Sequence, residues 1–431
     1  MKRSLFFAMA MMTIFKAQAL SNTPWSAGIS KGEDLIIKLV TIEPGDELYT
    51  WWGHSAIIVE DVRHGLSILY NYGIFSFEAD SFYRNFVMGR LYFQIQATAA
   101  GRELDFYRRV NRTIRTQTLD LPPDRRVEMA KFLDWNALPE NRVYLYHHYS
   151  DNCATRVRDV IDKMVDGRLA AATDGPARLS LRQHTRRYTF RHFFMDWLLM
   201  FLMGKSIDRP IKVWDEMFLP GELEHQVGQL LIPDEQGGLK PLVRERAVFY
   251  RAESRAPVPD KAPPAWPWGL AIGLPLGLMA VIIGLWMRRG GPAGRLAFGL
   301  YHALVGLLYG VPGSVLLFMS LFTDHDVTYG NQNLFLANPA VLSVLPWGIV
   351  LILGKALSRP ALFLTWTALA AVGLLSLLLK LLPGFNQQNW ISVSAILPVT
   401  LAFACSWLII RKPGRHVLSA ASTRTSEKPV Y

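Results

Sequence analysis

Cysteine is nearly absent from this chain, which has two cysteines in 431 residues. The sequence also lacks a nucleotide-binding glycine loop and a haem-binding motif, so neither class of protein is indicated. Asp324 and His325 have no further ligands at a spacing that suits a metal ion, and we therefore expect no metal and no cofactor. The net charge is +11, but the basic residues are not interleaved with aromatic residues on one element. This pattern argues against nucleic-acid binding.

The amino terminus has the pattern of a secretory signal. A basic start, an apolar run and small residues at a cleavage position follow one another: Lys2 and Arg3, Ser4 to Phe15, and Ala17-Gln18-Ala19. We expect residues 1–19 to be a signal peptide, with the mature chain beginning near Leu20. The alternative is an uncleaved anchor, because Lys16 is close to the cleavage position. In both cases the next segment lies outside the cytoplasm.

Composition changes near Pro257, where a Pro- and Ala-rich segment precedes mostly apolar sequence. Five stretches beyond it approach the roughly 20 residues that cross a bilayer. They are Trp266 to Met287, Leu296 to Phe322, Pro339 to Leu357, Ala361 to Leu382, and Trp390 to Ile410. We therefore predict an exported domain over residues 20–256, a linker over 257–265, a transmembrane domain over 266–412 and a cytoplasmic tail over 413–431.

Basic residues determine the predicted orientation of these spans. They follow the first, third and fifth spans: Arg288, Arg289 and Arg295, then Lys355 and Arg359, then Arg411, Lys412 and Arg415. Lys and Arg favour the cytoplasmic side, whereas residues 323–338 after the second span contain neither. Lys380 is the one discordant charge, and its long side chain can reach the interface. We expect a multi-pass protein of the bacterial inner membrane with its amino-terminal domain in the periplasm.

The exported domain is predicted to have an α+β fold. Strands are expected at Leu35 to Ile42, Ser55 to Glu60 and Leu66 to Tyr72, the last two forming a hairpin around Arg63-His64-Gly65. Short helices are expected at Phe82 to Met88, Glu103 to Arg112 and Pro123 to Asn136.

Cys153 is predicted to lie in the first turn of a helix. Apolar residues after it have helical spacing, capping side chains precede it and Gly167 follows it: Val157, Val160, Ile161, Met164 and Val165, after Ser150, Asp151 and Asn152. Unpaired amide groups and the helix dipole there favour a thiolate. The amides near Cys153 and Ala154 can also stabilise an oxyanion. Because Cys405 lies inside the last span, Cys153 is expected to be a lone thiol, either catalytic or a small buried core residue.

A thiol nucleophile requires a nearby base whose tautomer is fixed by a third group. The exported domain offers His54, His64, His147, His148, His184, His192 and His225. His54 is the best candidate because it begins a core strand, although His147 and His148 immediately precede the cysteine helix. Asn71 or Tyr72 on the next strand can be the third group. A one-residue change of register exchanges them, and we favour Asn71.

The segment Phe193 to Leu202 is apolar but too short to span a bilayer. With Arg186, Arg187 and Arg191 before it, it can dock on anionic headgroups. A buried core helix is the alternative, and Asp196 lies within either arrangement.

These motifs resemble a known family. Gly53-His54 opening a strand, Asn71-Tyr72-Gly73 on the next strand and Asn152-Cys153-Ala154-Thr155-Arg156 at a helix start are similar to permuted papain-like (NlpC/P60-like) thiol domains. The whole chain resembles the Lnb-type bacterial lipoprotein N-acyltransferases. The resemblance runs from about Asp34 to Tyr250, including Met217-Phe218-Leu219-Pro220, and continues into an outer loop with Asp324, His325, Asn331, Asn333 and Asn338.

The resemblance implies that a Cys153 and His54 pair moves a fatty acyl chain from a phospholipid onto the amino-terminal cysteine of diacylated lipoproteins. Asn71 is the expected third catalytic residue. Tyr72, Asp324, His325, Asn331 and Asn333 are candidate substrate contacts. The alternative for the residues of the outer loop is a solvated turn held by hydrogen bonds between side chains and the backbone. Two other functions remain open: a papain-like hydrolase of lipid esters or peptidoglycan amides, and a non-enzymatic envelope sensor.

Overall fold

The computed structural model describes residues 23–75, 81–234, 236–355 and 358–410. The predicted signal peptide, the predicted cytoplasmic tail and Arg411, Lys412 and Arg415 lie outside these residues. The chain divides into two units. The first contains Met1–Ala265, Val315–Gln332 and Leu382–Asn389, and the second contains Trp266–Ser314, Asn333–Leu381 and Trp390–Tyr431.

The first unit is built on an antiparallel sheet of seven strands in the order β6-β4-β3-β2-β1-β5-β9. The strands are β1 (Leu35–Ile42), β2 (His54–Asp61), β3 (Leu66–Ile74), β4 (Leu91–Ala99), β5 (Ile114–Leu119), β6 (Val143–Tyr146) and β9 (Val243–Tyr250). A separate pair is formed by β7 (Leu231–Pro233) and β8 (Leu239–Pro241). The three strands predicted from the sequence are neighbours in the middle of the sheet.

Helices cover both faces of this sheet. The helices that precede the linker are α1 (Phe82–Val87), α2 (Ala100–Arg109), α3 (Pro123–Ala137), α4 (Cys153–Met164), α5 (Arg168–Ala172), α6 (Leu181–Thr189), α7 (Phe193–Leu202), α8 (Val213–Glu216) and α9 (Pro220–Val227). Helix α2 packs on one face of the sheet, and α3 and α4 pack on the other. Successive strand residues point to opposite faces. In β1, Leu39 therefore packs with the cluster that contains α3 and α4, whereas Val40 packs with α2. The predicted α+β fold is confirmed.

Helix α7 is partly buried, as the core-helix alternative predicted, and its docking on headgroups stays a prediction. Met200 and Phe201 are buried, and the buried Asp196 accepts hydrogen bonds from Arg186 and Thr189. Phe194 is 66% exposed on the same helix. One face of α7 is therefore part of the core and another is not covered within the described residues.

The linker over residues 257–265 belongs to the first unit and is held along α6. Proline lacks an N–H and cannot form regular backbone pairing, but its carbonyl still accepts hydrogen bonds. Four arginines on or beside α6 donate to linker carbonyls: Arg178 to Asp260 (3.2 Å), Arg186 to Pro263 (2.8 Å), Arg187 to Pro259 (2.8 Å) and Arg191 to Pro257 (3.2 Å). These contacts give the linker a defined course.

The second unit is helical, and the described residues contain five segments that are long and apolar enough to cross a membrane. The helices are α10 (Trp266–Arg288), α11 (Pro292–Phe322), α12 (Val344–Ile352), α13 (Ser358–Leu379) and α14 (Trp390–Ile410), and the part of α11 from Val315 onward belongs to the first unit. Helices α10 and α14 approach closely at Gly273, where a Cβ would lie 2.5 Å from the Ser394 carbonyl oxygen. Small residues commonly allow such contacts between membrane helices.

The third span differs from the prediction. A helix was expected from Pro339 to Leu357, but the α-helix covers only Val344–Ile352 and follows 3₁₀ turns at Gln332–Phe335 and Pro339–Ser343. The residue before a proline disfavours helical geometry, which explains the break at Asn338. Asn338 instead accepts a hydrogen bond from the Ala340 N–H at 3.0 Å. The apolar segment that results is Gln332–Ile352.

Candidate active site

Cys153 is the first residue of α4, and the side chain of Asn152 fixes the start of this helix. Asn152 Oδ1 accepts hydrogen bonds from the N–H groups of Ala154 (2.8 Å) and Thr155 (2.9 Å). Its Nδ2 donates to the Phe218 carbonyl at 2.9 Å. The Met217-Phe218-Leu219-Pro220 segment thus supports the loop before the thiol. Cys153 and Cys405 are both free cysteines.

His54 begins β2 and shares a sheet face with Asn71. Strand β2 pairs with β3 so that Ile57 is opposite Tyr70. Continuing this register by one pair places Asn71 opposite Ala56, on the face that also carries His54. His54 Nε2 is hydrogen-bonded to Asn71 Oδ1. An amide oxygen accepts, so Nε2 carries the proton and Nδ1 is the nitrogen left for another partner.

The amide of Asn71 is itself held in place. Its Nδ2 donates to the Tyr107 hydroxyl at 3.2 Å, and Asn71 is 2% exposed. Tyr72 points to the opposite face, where its hydroxyl donates to Asn136 Oδ1 at 2.7 Å. Register therefore decides between the two residues that the sequence left open: Asn71 contacts His54 and Tyr72 does not.

The Cys153 thiol and the His54 imidazole are neighbours, and each shifts the pKa of the other. They meet above Gly73, whose φ is +88°. A Cβ at Gly73 would lie 3.5 Å from Cys153 Cβ and 3.9 Å from His54 Cε1. A side chain there would fill the space around the pair, and the left-handed φ also favours glycine.

The electrostatics of the pair favour its charged form. Burial raises the pKa of the Cys153 thiol, but the His54 charge, the hydrogen bond to His54 and the N–H groups of Ser55 and Ala154 outweigh it and lower the pKa overall. Burial lowers the pKa of His54, but the Cys153 charge and hydrogen bonds to Cys153 and Asn71 raise it overall. A thiolate beside an imidazolium is the nucleophilic form of a cysteine.

Tyr144 is a further polar group beside the thiol. Its hydroxyl lies 4.0 Å from the same Cβ position on Gly73 and has no hydrogen-bond partner among the described residues. Burial raises the pKa of this phenol well above its ordinary value, so the hydroxyl keeps its proton. Arg156 stacks on the Tyr144 ring with its Cζ 4.1 Å from the centroid. A buried, protonated and unoccupied donor suits a developing oxyanion.

The backbone amides near Cys153 and Ala154, which the sequence predicted as oxyanion donors, are only partly available to bind an oxyanion. The Ala154 N–H already bonds to Asn152 Oδ1 and to the sulfur. Sequence reasoning did not find Tyr144, which lies on the four-residue strand β6. The run of β-favouring residues in Val143–Tyr146 was the signal that could have indicated this strand.

The other histidines have different partners. His64 bonds Asp61, His147 Nε2 donates to Asp326 at 3.0 Å, His184 bonds Glu216 at 2.6 Å, His192 stacks on Trp51 and His225 bonds Gln229. Burial lowers the pKa of His148 to about 4, so this residue stays neutral. Of the seven predicted candidates, the described structure pairs His54 with the thiol.

The predicted substrate residues of the outer loop have partners other than the thiol and the imidazole. Asp324 pairs with Arg90 Nε at 2.7 Å, and His325 Nε2 donates to the Phe86 carbonyl at 3.0 Å. Asn331 Nδ2 donates to the carbonyls of Phe201 and Leu202, both at 2.9 Å. These three side chains bind the exported domain. Asn333 is buried in the second unit, and a substrate role of all four residues stays a prediction.

A cleft of about 1170 Å³ begins at Gly53, next to His54, but its lining includes neither His54 nor Cys153. Its charged lining is mainly arginine: Arg115, Arg178, Arg187, Arg191, Arg251 and Arg255. Arg115 pairs with Glu43 and Glu224, and Arg255 pairs with Asp46. Several of these charges are therefore neutralised by the protein, and the cleft is separate from the thiol site.

Comparison with known families gives a match in the amino-terminal part of the chain. Residues 22–189 match the family model described as the Lnb N-terminal periplasmic domain. The matched range contains His54, Asn71, Tyr144 and Cys153. No curated protein and no solved structure matches the chain. The match and the five membrane-length segments among the described residues indicate a membrane protein whose periplasmic domain is similar to that of Lnb proteins.

Proposed function

We propose that this protein is a lipoprotein N-acyltransferase that moves a fatty acyl chain from a phospholipid, through a Cys153 thioester, to the amino-terminal cysteine of bacterial lipoproteins. The observation that carries the proposal is that Cys153 and His54 meet at Gly73, at the end of the central strands, and that Asn71 is hydrogen-bonded to His54. A nucleophile, a base and a group that orients the base are the three parts that thiol acyl transfer requires.

In the first step the Cys153 thiolate attacks the carbonyl carbon of a phospholipid ester. The carbon–sulfur bond forms, the carbon–oxygen bond to glycerol breaks, and the His54 imidazolium gives its proton to the departing alkoxide. A lysophospholipid leaves and Cys153 carries the acyl chain as a thioester. The Tyr144 hydroxyl is close enough to the thiol to donate to the tetrahedral oxyanion.

In the second step the free α-amine of the lipoprotein cysteine attacks the thioester carbonyl. The carbon–nitrogen bond forms, the carbon–sulfur bond breaks, and neutral His54 accepts the amine proton. The products are an amide and the original thiolate–imidazolium pair. Transfer from a thioester to an amide is energetically downhill, so no further energy source is required.

The location of the site favours lipid substrates. The first unit includes Val315–Gln332 and Leu382–Asn389, which adjoin membrane-length helices. Phospholipids and diacylated lipoproteins are both present at the outer face of the inner membrane, and a periplasmic domain joined to these helices can act there. We therefore place the reaction at that face, with phospholipid as acyl donor and the diacylated lipoprotein as acceptor.

The test is complementation of a bacterium that lacks its own enzyme for lipoprotein N-acylation. Mass spectrometry of amino-terminal lipopeptides should show the amide-linked acyl chain with the wild-type gene and with Cys405→Ala, but not with Cys153→Ala. Cys405→Ala is the matched control because it removes the second cysteine outside the proposed site. N-acylation by the Cys153→Ala protein would refute the proposal, and altered muropeptides without N-acylation would favour a thiol hydrolase.

A further inference from the structure

A row of aromatic side chains leads away from the thiol site. Tyr146 and Cys153 pack against the same core cluster and interact electrostatically. Phe93 stacks on Tyr146 with ring centroids 4.2 Å apart, and Phe75 stacks on Phe93 at 4.7 Å. Phe82 lies 6.1 Å from Phe75, and Phe86 lies 6.1 Å from Phe82. We call these five rings the aromatic row.

The outer end of the aromatic row is helix α1, which exposes large apolar side chains. Tyr83 is 72% exposed, Phe86 52% and Val87 55%. Three such residues in a helix of six form a contiguous apolar surface. An apolar patch of this kind on a soluble surface usually marks a binding surface.

Hydrogen bonds tie α1 to the end of a membrane-length helix. The Asp324 N–H donates to the Met88 carbonyl at 2.9 Å, and His325 donates to the Phe86 carbonyl. Asp324 is two residues beyond Phe322, the last residue of α11, and Phe322 is itself 65% exposed. All of these residues belong to the first unit.

The position of α1 follows from the length of α11. At about 1.5 Å per residue, the 31 residues of this helix exceed the roughly 30 Å of a bilayer core. The residues after it therefore emerge at the membrane surface. Helix α1 is bonded to those residues, so we expect Phe86 and Val87 to reach the lipid interface, which aromatic and apolar side chains favour.

We propose that α1 contacts the lipid bilayer and that the aromatic row is the path by which a phospholipid acyl chain reaches Cys153. The second half of this inference rests on the proposed acyltransferase function, and the first half does not. Apolar rings offer a hydrocarbon chain a surface free of charge between the bilayer and the thiol. The occupant of this surface is thus the acyl chain of a membrane phospholipid.

The lipid contact can be tested without any acyltransferase activity. A photo-crosslinking benzoylphenylalanine is placed at Phe86 in the full-length protein, in vesicles of phosphatidylethanolamine and phosphatidylglycerol. Val62 is the matched control, because it is 60% exposed. It directly follows Asp61, the last residue of β2, whereas His54 is the first residue of that strand. We expect lipid adducts at position 86 and not at position 62. Equal adducts at both positions, or none at position 86, would overturn the proposal.

The acyl path is tested with Phe86→Asp, Val87→Asp and the control Val62→Asp. Acylation of Cys153 by a long-chain phospholipid should fall about tenfold or more in the first two variants, the effect of losing one apolar contact. Alkylation of Cys153 by iodoacetamide should stay unchanged in all three, which shows that the thiol site is intact. Wild-type acylation rates in both α1 variants would overturn the path. If wild-type Cys153 accepts no acyl chain from any lipid, the proposed function fails, and the crosslinking result still decides the lipid contact.

Discussion

Replacing His54 with alanine should raise the pKa of the Cys153 thiol. The charge and hydrogen bond of His54 are the main influences that lower this pKa, and burial alone acts in the opposite direction. Without the imidazole, the thiol should therefore titrate at or above its ordinary pKa of about 8.5. In the wild type, the Cys153 thiol stays ionised to a lower pH, because its pKa is lowered.

The size of the effect follows from the thiolate fraction. At pH 6.5 a thiol with a pKa of about 8.5 is roughly 1% ionised, so the reactive fraction falls by up to about 100-fold. A more basic thiolate is a better nucleophile, with a Brønsted coefficient of about 0.4–0.5, so the gain in nucleophilicity offsets roughly half of this loss on a logarithmic scale. We expect alkylation of Cys153 at pH 6.5 to slow by roughly tenfold.

The assay is the rate of iodoacetamide labelling between pH 5 and pH 10, about the range in which these groups titrate. Cys405→Ser is used as the background, because it leaves Cys153 as the single thiol of the two in the chain. His225→Ala is the matched control, since His225 bonds Gln229 and not the thiol. An unchanged labelling profile in the His54→Ala protein would refute the proposed coupling of the two groups.

Three further substitutions test other parts of the site. Asn71→Ala frees the His54 ring and should slow acyl transfer roughly tenfold or more, part of the 10²–10⁴-fold that a positioned base contributes; steady-state kinetics with a lipopeptide acceptor measures this. Tyr144→Phe should lower kcat by about 10²–10³-fold through loss of an oxyanion donor. The melting temperature should not fall, because the hydroxyl has no partner among the described residues. A lower melting temperature with normal kcat would assign Tyr144 a structural role. Asn152→Ala should reduce the free energy of unfolding by about 1 kcal/mol or more through loss of the helix cap, as measured by denaturant titration.

Local signals made the two principal residues predictable. A capping residue before an amphipathic helix identified the position of Cys153, and a β-rich run after Gly53 identified the start of the His54 strand. Their meeting depends on the sheet order, in which β2 and β3 are neighbours beneath the start of α4. The resemblance to a known family supplied that pairing before the structure did.

Long-range pairing limited the rest of the prediction. Strands β4, β5, β6 and β9 were not predicted, because Ile114–Leu119 and Val243–Tyr250 contain many polar residues and form strands only by pairing with distant segments. The choice between Asn71 and Tyr72 required a register that only the paired strands define. Tyr144 was missed for the same reason, since β6 reaches the site by pairing with β4.

The most direct test of the central claim is the mass of the peptide that contains Cys153 after purified protein is incubated with phospholipid vesicles. The account predicts an added acyl chain on Cys153, which disappears when a diacylated lipopeptide with a free α-amine is supplied and reappears on that amine. An unmodified Cys153 under these conditions, or an acyl chain lost equally fast to water without the lipopeptide, would contradict it.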